Sequence, residues 1–88
     1  MEVVLAEPVP QEFVADLRSS FPGVTFHIAN TAHEQMKYIK NADVFHGWPA
    51  KEVFLAADKL RWIQNPGTGI DQVLNVPEIV DSDVVLTN

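Results

Sequence analysis

The chain has 88 residues, 47% of them hydrophobic and 20% charged, which is enough for one small globular domain and too few for two. A formal charge of −6, with no run of basic residues, disfavours nucleic acid and anionic membrane surfaces as partners. The absence of cysteine excludes disulfides and thiolate metal sites, and no apolar run approaches a bilayer span.

The N-terminus, Met1-Glu2-Val3-Val4-Leu5, has no basic segment and no long apolar core, so it does not read as a secretory signal, and a cytoplasmic location is expected. Val3 to Ala6 is short, apolar and β-branched and is closed by Pro8 and Pro10, which predicts a buried first strand. Phe13, Leu17 and Phe21 then recur every four residues, with Val14 beside them. That spacing predicts a helix with Pro10 near its first turn and Pro22-Gly23 ending it. Val24 to Ile28 alternates as a second strand.

Thr31 and Glu34 form a T-x-x-E capping box, so a second helix begins there, with Met36 and Ile39 as its buried residues. Asn41 is placed to stop it in the left-handed conformation. Ala42 to His46 reads as a third strand, and Pro49 opens a third helix with Val53, Ala56, Ala57 and Leu60 on its apolar face. Trp62 to Gln64 is a fourth strand, with Trp62 expected in the core. After the turn cluster Pro66 to Gly69, a short helix carries Ile70, Val73 and Leu74, and Asn75 and Pro77 break it. Val84 to Leu86 is a fifth strand.

Strands alternating with helices imply parallel pairing with right-handed crossovers. The expected architecture is a flavodoxin-like α/β fold, a five-stranded parallel sheet in the order 2-1-3-4-5 with helices on both faces. The fifth helix of such a fold is expected to be missing, since these residues run only to Thr87-Asn88. An apolar part of the sheet should therefore be bare, and self-association into a homodimer through it is expected.

The strongest chemical signal is Asn65-Pro66-Gly67-Thr68-Gly69-Ile70-Asp71, placed where a strand ends and a helix begins. Glycines there let the backbone turn tightly, and the first amides of the helix point outward beside the positive end of its dipole. Such a place suits a carboxylate or a phosphate. A tight turn with no ligand is the other reading. Trp48 follows the third strand and should lie at the same end, either lining a ligand cleft or packed on the following helix. Glu7 could face the cleft, although an exposed acidic loop residue is the default. Of His27, His33 and His46, only His46 is near that end, where a solvated or hydrogen-bonded ring is the ordinary outcome, and the three do not have the spacing of a metal site.

The segment Leu60 to Asp71 resembles the pattern L-K-x-I-x-x-x-G-x-G-x-D of the D-isomer-specific 2-hydroxyacid dehydrogenase family. Ala42-Asp43-Val44 resembles that family's A-D-V strand entry, and Val84 to Asn88 resembles the strand before its crossover into the cofactor domain. The resemblance implies that residues 1–88 are a single truncated substrate-binding domain. It also implies that the amides of Thr68 and Gly69 hold the carboxylate of a 2-oxo or 2-hydroxy acid, that Gly67 shapes the turn, and that Trp48 helps set substrate size. Asp71 matches an aspartate expected to be structural, and Pro66 departs from the simplest pattern by stiffening the loop.

The family's substrate-polarising arginine and its proton-donating histidine with supporting glutamate fall outside this chain. No G-x-G-x-x-G follows a strand, so NAD or NADP is expected to bind the intact parent and not these residues. The chain alone is expected to be inactive and to have no catalytic residue. A minimal flavodoxin-like scaffold that self-associates and has no ligand function is the alternative. A response-regulator receiver is disfavoured because Gly47-Trp48 and Thr87-Asn88 supply neither the acid nor the lysine it needs. A flavin-binding flavodoxin is disfavoured because Glu7-Pro8-Val9-Pro10 is a poor phosphate loop.

Overall fold

The computed structural model describes residues 1–65 and 76–87. Its five strands are β1 (Glu2–Leu5), β2 (Thr25–Ile28), β3 (Val44–His46), β4 (Trp62–Gln64) and β5 (Val85–Thr87). They form one parallel sheet in the order β2-β1-β3-β4-β5. The helices are α1 (Gln11–Ser20), α2 (Ala32–Tyr38) with a 3₁₀ turn at Ile39–Asn41, α3 (Lys51–Leu55) and a one-turn α4 (Pro77–Val80). The expected α/β class and strand order are therefore what the chain adopts.

Side chains alternate between the two faces of each strand. One face carries Val4, Phe45 and Ile63, all fully buried with Ile39, Val53 and Ile79 from the helical layer. The other face carries Val3, Leu5 and Val44, covered by Val14 of α1. Register then places Trp62 beside Val44, and Val85 beside Trp62, on this second face. Here the cover is incomplete: Trp62 is 41% exposed and Val85 57%. Trp62, expected in the core, is at the open half of the sheet because α1 reaches only the β1–β3 half.

Several other expectations need correction. Phe13 and Phe21 are 48% and 53% exposed, and Val14 is the one residue of α1 that is buried. Phe13, Leu17 and Phe21 line an apolar hollow with Val44 and Trp62 instead of closing over the sheet. Met36 is exposed, whereas Ile39, in the 3₁₀ turn, is buried as expected. That turn ends the second helix with right-handed geometry, and among the described residues no non-glycine has positive φ, so Asn41 is not a left-handed stop. The third helix ends at Leu55, yet Ala56, Ala57 and Leu60 still pack on the core from the segment after it. Pro77 opens a helix instead of only breaking one: it stands at the first position, where its missing N–H costs nothing, and α4 buries Ile79.

Candidate functional site

The chain leaves β1 toward the face covered by α1 and leaves β3 toward the face covered by α3, so the switch point of the sheet, where open α/β folds form their ligand crevice, lies between the carboxyl ends of β1 and β3. Gly47 lies at this point with φ +134°, a conformation that side-chain-bearing residues rarely adopt. A Cβ there would stand 3.1 Å from the Ala6 Cβ and 3.3 Å from the Glu7 Cγ. The glycine thus permits both the backbone turn and the close approach of the segment after β1. Glu7 is half-buried and lies against Gly47, so it is part of the crevice wall rather than a freely solvated loop residue.

Hydrogen bonds extend the sheet past its strands at this end. The Ala6 N–H donates to the His46 carbonyl at 3.0 Å, and Asn30 Nδ2 donates to the Ala6 carbonyl at 3.1 Å. The Gly47 N–H donates to the Gln64 carbonyl at 2.9 Å, and the Asn65 N–H donates to the Thr87 carbonyl at 2.7 Å. Asn65 is 2% exposed and bonded, and Val76 is buried in the core. The segment 66–75 therefore springs from one fixed residue and returns to another. Gly67, Thr68, Gly69 and Asp71, and the helix expected to carry Ile70, Val73 and Leu74, lie outside the described residues.

Trp48 follows Gly47 and is half-buried, next to the buried Pro49 and ahead of α3. Its position is at the carboxyl end of β3. Lys51, which sequence reasoning did not single out, is the first residue of α3, and its Nζ is 3.2 Å from Glu78 Oε2. The backbone N–H of Glu78, and then the Lys51 ammonium, hold the Glu78 carboxyl below its ordinary 4.5. Lys51 is thus already paired. The only signal for it in the sequence is a lysine directly after Pro49-Ala50 at a helix start.

His46 is half-buried at the end of β3. Its ring lies on the α1 face beside Gln64, and its Nδ1 is buried with no hydrogen-bond partner among the described residues. His27 Nε2 is 2.8 Å from Glu2 Oε1, and its ring stacks on Tyr38 at 4.1 Å. Among the described residues no three His, Asp or Glu side chains converge on a point that could hold a metal, and no helix is long and apolar enough to cross a membrane.

No family model matches the sequence, and no curated protein matches it. Among solved structures, the crystal structure of phosphoglycerate dehydrogenase from Lactobacillus plantarum matches with a TM-score of 0.70 at 22% identity. The likeness shows the fold. The match covers 98% of this chain and 28% of that one, so the 88 residues correspond to about a quarter of that protein.

Proposed function

We propose that the chain is the substrate-binding domain of an NAD(P)-dependent D-2-hydroxyacid dehydrogenase. In this reading the Gly67-Thr68-Gly69 loop holds the carboxylate of a small 2-oxo or 2-hydroxy acid, and Trp48 borders the site. The observation that carries it is the anchoring of Asn65, whose backbone is bonded to β5 immediately before that loop, at the strand ends where open α/β sheets bind ligands. The fold of a phosphoglycerate dehydrogenase, itself a dehydrogenase of 2-hydroxy acids, supports the same reading.

The loop after β1 is poorly suited to the pyrophosphate of a nicotinamide dinucleotide. It presents the Glu7 carboxylate, packed on Gly47, and two proline nitrogens without hydrogen, where a pyrophosphate needs N–H donors. In this reading the cofactor and the groups that move the proton and polarise the carbonyl belong to another part of the parent protein, and this chain supplies binding and orientation of the acid.

Two assays test the proposal. Isothermal titration with oxalate should give a dissociation constant near 1 mM, about −4 kcal/mol, as expected of two amides and a helix end without a partner cation. The chain mixed with NADH and glyoxylate or pyruvate should oxidise no NADH. Turnover abolished by mutating this chain would overturn the division of labour, and absence of oxalate binding at tens of Kd (~50 mM) would remove the binding role.

A further inference from the structure

Charge is unevenly divided between the two ends of the sheet. The chain has 6 lysines and arginines, and all of them are among the described residues. In a parallel sheet each connection runs back from the carboxyl end of one strand to the amino end of the next. Arg18 and Lys37 stand in the last turns of α1 and α2, Lys40 is in the 3₁₀ turn before β3, and Lys59 and Arg61 lead into β4, so all of these lie toward the amino ends. The remaining one, Lys51 at the start of α3, is paired with Glu78.

Glu7 stands on the other side of this division. It follows the carboxyl end of β1, half-buried, with Oε1 3.5 Å from where a Gly47 Cβ would stand. Among the described residues no cation and no hydrogen-bond donor engages its carboxylate. The Ala6–His46 and Gly47–Gln64 hydrogen bonds hold the ends of β1, β3 and β4 side by side. Glu7 is therefore about two strand spacings, roughly 10 Å, from Asn65 at the root of the candidate loop.

We propose that Glu7 sets the charge class of the ligand: the site accepts 2-oxo and 2-hydroxy acids with a single carboxylate and disfavours those that carry a second anionic group. The inference rests on the proposed function and narrows it. The loop amides take one carboxylate. A second carboxylate or a phosphate finds no free lysine or arginine at the strand ends and meets Glu7 instead. Repulsion over roughly 10 Å near a protein surface weakens binding about two- to fivefold. Phosphoglycerate, which gives the structural neighbour its name, belongs to the disfavoured class, so the shared fold does not carry its substrate over to this chain.

D-Lactate and D-malate differ by one carboxylate and serve as the probes, with dissociation constants read from the shifts of the Thr68 and Gly69 amides. In the parent chain at low salt, D-malate should bind about two- to fivefold more weakly than D-lactate. Glu7→Gln should bring the two within about twofold, and Glu7→Lys should move their ratio about tenfold in favour of D-malate. Raising the ionic strength from about 0.01 M to about 0.15 M shortens the screening length from about 30 Å to about 8 Å, and should shrink the preference in the parent chain without any substitution. A ratio that neither variant nor salt changes, with both acids still shifting Thr68 and Gly69, would overturn the inference and leave the proposed function standing. If neither acid shifts those amides in any of the chains, the proposed function falls and the inference with it.

Discussion

The indole N–H of Trp62 donates to the Thr87 hydroxyl at 2.7 Å, joining β4 to β5 on the open face of the sheet. The same hydroxyl donates to Gln64 Oε1. One threonine thus satisfies a tryptophan whose ring is otherwise half in water and steadies the last strand of the sheet. Thr87 is also the residue whose carbonyl receives the Asn65 N–H, so the anchoring of the candidate loop and the order of β5 are coupled.

Thr87→Val keeps the β-branched shape and removes the hydroxyl. We expect a loss of about 1 kcal/mol, the net worth of a partly exposed hydrogen-bond pair, read as a lower urea midpoint at unchanged slope. An unchanged midpoint would mean that the indole N–H finds water equally well.

Gly47→Ala should cost more. The backbone there has φ +134° and the added Cβ meets Ala6 at 3.1 Å, so both strain and crowding oppose it. A loss of roughly 2–3 kcal/mol is expected in urea unfolding. An alanine variant as stable as the parent would show that the β1 and β3 ends can separate freely.

The fold was more legible than the site, for physical reasons. The apolar β-branched runs at Val3 to Leu5 and Val44 to Phe45 become strands because they are buried between two layers, and Thr31 caps α2 by accepting from the Glu34 N–H at 3.2 Å, as its spacing implies. Periodicity reports which residues share a helix face but not what that face meets. Phe13 and Phe21 have the spacing of core residues, yet they flank an uncovered part of the sheet. Trp62 fails similarly, since burial in a strand depends on a covering layer that no local pattern encodes. Glu7 was ambiguous because its place depends on Gly47, distant in sequence and adjacent in space. The Gly67-Thr68-Gly69 reading remains one of sequence and resemblance, resting on the anchor at Asn65.

Acid titration should expose the Glu78–Lys51 pair. Glu78 has a folded-state pKa below 4.5, held there by its own backbone N–H and by Lys51. A depressed carboxyl pKa adds stability above the unfolded value, and that stability is lost as pH falls through the folded value. The Glu78→Gln variant should therefore show a flatter decline in stability below about pH 4.5 than the parent chain. The Lys51 and Glu78 side chains are 57% and 35% exposed, so the difference should be small and should shrink further in salt. Identical acid limbs in low salt would show that the pair does not contribute.

Glu7 places a carboxylate at the crevice that the proposed ligand must approach. Glu7→Gln should strengthen oxalate binding about two- to fivefold, roughly 0.5–1 kcal/mol, the size of a screened repulsion near a protein surface. Calorimetric titration of both chains measures it. Weaker binding by the glutamine variant would mean that Glu7 helps to hold the ligand.

The most direct test of the proposed function is amide-resolved NMR of the ¹⁵N-labelled chain during titration with oxalate. The account predicts progressive shifts of the Thr68 and Gly69 amides that saturate with a dissociation constant near 1 mM, with the amides of α1 unmoved. Unshifted Thr68 and Gly69 amides at about 50 mM oxalate would contradict it, whatever the oligomeric state of the chain.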